Sequence, residues 1–104
     1  MTEKKVGSMT VDVDAEGFMT DASQWTEDIA KALAKEEGIE LTEDHFKVIS
    51  FMRKDFAENG TAPSIRRLNK AGGISTKDLY SLFPDGPAKK AAKISGLPKP
   101  QGCV

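Results

Sequence analysis

The sequence predicts a mostly helical α+β chain: a short β-hairpin near the N-terminus, five helices, and a C-terminal arm. Three observations predict it. Residues 9–19, MTVDVDAEGFM, alternate apolar and acidic positions and then reach a glycine. Five later stretches each begin at a capping residue or a proline and end at a glycine or proline. The last residues, LPKPQGCV, carry prolines at 98 and 100 and a glycine at 102. Such a segment cannot extend a helix and offers few donors to a sheet.

In the hairpin, Val11 and Val13 share one face, Asp12 and Asp14 take the other, and Glu16-Gly17 makes the turn. Phe18 and Met19 continue the second strand. The first helix runs EDIAKALAKEE behind the cap Thr26 and stops at Gly38, with Ile29, Ala30, Leu33 and Ala34 as its apolar face. Trp25 precedes the cap, placed to staple onto Ala30. The second helix, EDHFKVISFMRKDFAEN, is capped by Thr42 and ended by Asn59-Gly60. Phe46, Ile49, Met52 and Phe56 form its face, widened by Val48 and Phe51. A third helix starts at Pro63 and ends at Gly72-Gly73. A fourth is capped by Ser75, with Asp78 at the capping-box position, and is ended by Pro84. A fifth runs from about Pro87 to Gly96.

At 104 residues the chain suffices for one domain with a modest core. No apolar run approaches the roughly 20 residues a membrane span needs. The N-terminus lacks the apolar stretch of a signal peptide, so a cytoplasmic protein with no membrane partner is expected. A single cysteine excludes an internal disulfide and a disulfide-stapled secreted fold. Residues 1–61 hold 7 Lys/Arg against 14 Asp/Glu, a net of −7, while residues 62–104 hold 8 against 2, a net of +6. A solvated dipolar surface explains this asymmetry as well as an anionic partner for the second half does.

Cys103, one residue from the carboxyl end, is the sharpest chemical feature. Lone cysteines are commonly buried small hydrophobes, but terminal residues are usually exposed. Position therefore favours a reactive thiol. The adjacent carboxylate disfavours a thiolate. Lys99 is the nearest cation, with Arg66, Arg67 or Lys89 in reach only if the tail folds back. A thiol that is quiet alone suits a carrier better than a self-contained enzyme.

His45, the single histidine, reads as a surface or half-buried helix residue, not the partner of a Cys–His pair. One Cys and one His do not make a four-ligand zinc site. Asp12, Asp14, Glu16 and Gly17 fail the calcium-loop pattern, because Ser23 stands where the last ligand belongs. With no glycine-rich phosphate loop or paired carboxylates, neither metal nor cofactor is expected. Residues 62–83 read as a helix-turn-helix, but TKDLYSLF has no Arg, Asn or Gln to read base edges. Sequence-specific DNA binding is kept only as an alternative class. Arg66, Arg67, Lys70, Lys89, Lys90 and Lys93 suit an acidic protein surface, a nucleic-acid backbone or solvent.

The run LYSLFPDGPAKKAAKISGLPKPQGCV (79–104) resembles the C-terminal signature of the DsrC/TusE family of sulfur-trafficking proteins. APSIRRL (62–68), DAEGFM (14–19), Trp25 and ELTEDHFKVISFMR (40–53) extend the likeness over nearly the whole chain. The resemblance implies a small five-helix bundle with a helix-turn-helix-like centre over residues 1–96, an N-terminal hairpin at about 9–19, and a mobile arm over 97–104. On that arm Cys103 carries persulfide sulfur between partner proteins. By the same resemblance Arg66, in the AP-x-x-R motif, steadies the sulfur; Lys99 offers a nearby positive charge, Gly102 removes side-chain bulk beside the sulfur, and Leu97, Pro98, Lys99 and Pro100 form the arm that enters the partner.

Members that act with dissimilatory sulfite reductase have a second cysteine eleven residues before the penultimate one. Here that position is Ala92, so the arm cannot close on it. The one-cysteine pattern resembles the TusE branch, which takes sulfur from a TusBCD-type complex (DsrEFH-like) and feeds a tRNA 2-thiouridylase for wobble-uridine thiolation. The short stretch between APSIRRL and LYSLFP, and the PQGCV ending, instead resemble partners of sulfite reductase. Ala92 fits a divergent paralogue or a replaced cysteine.

Overall fold

The computed structural model describes residues 2–84 and 86–99. Its hairpin lies one strand earlier than the alternation suggests. Strand β1 (Thr2–Val6) pairs antiparallel with β2 (Met9–Val13), from Thr2 against Val13 to Val6 against Met9. The two-residue link Gly7-Ser8 has Gly7 at φ 63°, a conformation that glycine adopts without steric cost. The expected inward positions hold: Val11 and Val13 are buried, together with Val6. The hairpin placed over 9–19 is thereby corrected. Beyond β2 the chain makes a tight turn in which Asp14 Oδ1 accepts from the N–H groups of Glu16 and Phe18, and one bridge joins Val13 to Met19. A side chain that ties up backbone donors in this way ends the ladder.

A single 3₁₀ turn (Ala22–Gln24) leads to α1 (Glu27–Glu36). Thr26 Oγ1 accepts from Ile29 N at 3.3 Å, and the four predicted apolar residues are the helix's buried ones. Helix α2 (Glu43–Asn59) ends at Gly60, φ 77°. Its buried seam is His45, Val48, Ile49, Met52 and Asp55, with Phe46, Phe51 and Phe56 flanking it half-buried. The face expected from the phenylalanines is thus rotated. Polar residues hold seam positions because each is fully partnered. His45 Nδ1 accepts from Thr42 N at 3.1 Å, which leaves Nε2 as the donor to Leu82 O at 2.8 Å. Asp55 Oδ1 accepts from Arg67 Nε and Nη2 and from Asn59 Nδ2.

Helix α3 (Ile65–Lys70) is capped by Ser64, not opened by Pro63. The Ser64 hydroxyl accepts from Arg67 N at 3.2 Å, and the proline sits one residue outside. Helix α4 (Thr76–Leu82) is capped by Ser75 through Asp78 N. Helix α5 (Pro87–Ile94) carries its proline at N1 and packs on α1, α2 and α4. It buries Ala88, Ala91, Ala92 and Ile94. The described residues form a mostly helical α+β fold of five α-helices and one hairpin. No helix among the described residues is long and apolar enough to cross a membrane.

Candidate functional site

Helix α5 is closed by backbone bonds at its C-terminus. Gly96, at φ 73°, donates to Lys93 O at 3.2 Å, and Leu97 donates to Ala92 O at 3.0 Å. These two bonds form the Schellman motif, which usually seats the following apolar residue against the helix. Leu97 is accordingly 0% exposed. The expectation that put Leu97 on the free arm is corrected: it is a core residue, and exposure begins at Pro98 and Lys99.

Two distant side chains hold the same helix end. Trp25 Nε1 donates to Ile94 O at 2.8 Å. Arg53 donates from Nη1 to Ser95 O at 2.8 Å and from Nη2 to Ala22 O at 3.0 Å. The guanidinium also lies 4.3 Å from the Trp25 ring centroid, in cation–π range. Arg53 is partly desolvated, which lowers its pKa from the usual arginine value. The Trp25 side chain lies over Gly96: a Cβ at residue 96 would lie 2.6–2.8 Å from three of its side-chain atoms. Ser95 is fully buried, its Oγ 4.0 Å from Met52 Sδ.

Ala92 is fully buried one turn before this end and supplies the carbonyl that Leu97 N–H meets. Lys99 Nζ reaches Glu16 Oε1 at 3.2 Å, an exposed pair that joins the segment after Leu97 to the 14–18 turn. Exposed pairs of this kind contribute little to stability. Arg66 is exposed on α3. Its neighbour Arg67 is committed to buried Asp55, whose hydrogen bond and charge raise the arginine pKa. Pro100, Gly102 and Cys103 lie outside the described residues. Helix α4 exposes Lys77, Asp78 and Tyr80, with no amide or guanidinium for base edges. Trp25 and Arg53, which hold the C-terminal end of α5, were not among the expected site residues. Their partners are 69 and 42 residues away along the chain, and no local pattern announces such contacts.

The described residues define a class: a small, mostly helical domain with one hairpin, whose last helix closes on the buried Leu97. Comparison gives the family. The model of the DsrC-like proteins matches residues 5–104, and the chain belongs to that family. It is 45% identical over 102 residues to the sulfurtransferase TusE of Pectobacterium atrosepticum, covering 91% of this chain and 94% of the relative. Against the sulfurtransferase TusE of Photorhabdus laumondii the identity is 46% over 101 residues, covering 90% and 91%. The NMR structure of Allochromatium vinosum DsrC superposes with a TM-score of 0.85 at 41% identity, over 98% of this chain and 97% of that one. The oxidized gamma-subunit of the dissimilatory sulfite reductase from Archaeoglobus fulgidus gives 0.79 at 39%, over 99% and 100%.

Proposed function

We propose that this protein is a cytoplasmic sulfur relay that carries persulfide sulfur on Cys103 and passes it between partner proteins. One observation carries the reading. The DsrC-like family model runs to residue 104 and so takes in GLPKPQGCV, where the chain's sole cysteine stands, and curated relatives at about 45% identity are named sulfurtransferases. Loading and unloading are both thiol exchange and need no external oxidant. The Cys103 thiolate attacks the outer sulfur of a donor persulfide, the donor's S–S bond breaks, and the donor leaves as a thiolate. An acceptor thiolate then attacks the outer sulfur on Cys103 and releases the Cys103 thiolate.

Thiol exchange needs an accessible sulfur and an in-line approach. The segment after Leu97 serves both by acting as an arm. Pro98 and Pro100 limit the entropy lost when it enters a partner's cleft, and Gly102 removes bulk beside the sulfur. Arg66 and Lys99 supply positive charge for an anionic persulfide. Ala92 cannot form a bridge with Cys103, so the sulfur must leave to another molecule. The donor is a TusBCD- or DsrEFH-like complex, and the acceptor is a tRNA 2-thiouridylase in wobble-uridine thiolation. A second reading, partnership with dissimilatory sulfite reductase, draws on the short α3–α4 link of residues 71–75 and on the end-to-end likeness to that enzyme's gamma-subunit. Co-purification through a Cys103-dependent crosslink separates the two by naming the acceptor. Recovery of a siroheme reductase instead of a tRNA-modifying enzyme would overturn the first reading.

A further inference from the structure

We infer that Trp25 and Arg53 are positioning residues that clamp the root of the C-terminal arm and so set where Cys103 can reach. All four carbonyls that α5 leaves without an intrahelical partner are met by donors from the protein itself. The last carbonyls of a helix need partners, and the Schellman bonds supply them for Ala92 and Lys93. The next two carbonyls, of Ile94 and Ser95, accept from Trp25 and Arg53, which come from two other segments of the chain. Arg53 has no carboxylate partner among the described salt bridges. Its charge is spent on two neutral carbonyls and one ring. Charge-assisted bonds are stronger than neutral ones, so a guanidinium on the Ser95 carbonyl makes a stiff attachment. The glycine at 96 lets the indole lie directly on the backbone.

Cys103 is the sixth residue after Leu97, so a fixed root bounds how far its sulfur can lie from that root. At about 3.3–3.6 Å per extended residue, the reach is on the order of 20 Å. Releasing residues 95–97 would lengthen that reach by about half and unfix its origin. A donor and an acceptor that approach the domain in set orientations would then meet a sulfur spread over a larger volume.

The chain has one tryptophan and one cysteine, so energy transfer from Trp25 to an acceptor dye on Cys103 reads arm geometry in the full-length protein. Gly96→Ala pushes the indole off the backbone, and Arg53→Met removes both carbonyl bonds while keeping an apolar stem over the ring. Transfer efficiency in each variant is referred to its own unlabelled form. Amide exchange of Leu97 is followed beside that of Met52 in α2. The expected result is a broader Trp25–Cys103 distance distribution and about ten-fold faster exchange at Leu97, with Met52 unchanged. If one variant does not fold, the other carries the test. Unchanged distances and exchange in a folded variant would overturn the inference, and so would equal acceleration at Leu97 and Met52, which marks a merely global loss. The consequence for sulfur transfer rests on the carrier reading. The distances do not: if Cys103 took up no sulfur, the clamp would stand or fall on them alone.

Discussion

Two helices of this protein end in the same local way and are held very differently. At the C-terminus of α1, Gly38 donates to Lys35 O and Ile39 to Ala34 O. At the C-terminus of α5, Gly96 donates to Lys93 O and Leu97 to Ala92 O. Both glycines sit near φ 73–74°. Yet nothing lies within 4 Å of a Cβ built on Gly38, whereas Gly96 carries the Trp25 indole. Ile39 is half-buried and Leu97 fully buried. The first end leads into a loop and the second to the cysteine. A stop signal in sequence therefore fixes where a helix ends, while tertiary packing decides how firmly the next segment is rooted.

Substitutions at matched positions sharpen this contrast. Gly96→Ala is expected to cost about 2–4 kcal/mol, from the left-handed backbone and the displaced indole, against about 1–2 kcal/mol for Gly38→Ala. Urea denaturation of the two variants checks the difference, and equal losses would remove the distinction between the ends. Leu97→Ala should cost about 2–4 kcal/mol because it empties a buried site, with Ile39→Ala costing less. Arg53→Met is expected to lose about 1.5–3 kcal/mol by leaving the Ser95 and Ala22 carbonyls without their donor. Thermal unfolding measures it, and a change below about 0.5 kcal/mol would show those bonds to be replaceable by water. Lys99→Ala should be the quietest, within about 0.5 kcal/mol, because its ion pair with Glu16 is exposed on both sides.

The helices were legible because their signals are local. Thr26, Thr42 and Ser75 cap as their spacing predicts, and Gly38, Gly60 and Gly96 stop as expected. The hairpin was half legible. Val11 and Val13 betray β2, but TEKKV has one buried residue, Val6, and so no alternation to mark β1. The Gly7-Ser8 link was its available signal. In α2 the phenylalanine spacing marks a face offset from His45 and Asp55, whose burial depends on Leu82 O and Arg67 arriving from other helices. The candidate site divides in the same way. The cysteine and its proline-rich setting stand in the sequence, but burial of Leu97 and the hold of Trp25 and Arg53 exist only once three segments meet.

The measurement closest to the central claim is intact mass after incubation with a persulfide donor and removal of excess reagent. The native chain is expected to gain the mass of one sulfur atom, to lose it on addition of an acceptor thiol, and to gain nothing as Cys103→Ser. A sulfur adduct that persists in Cys103→Ser, or a native chain that stays unmodified, would contradict a relay that works through this cysteine.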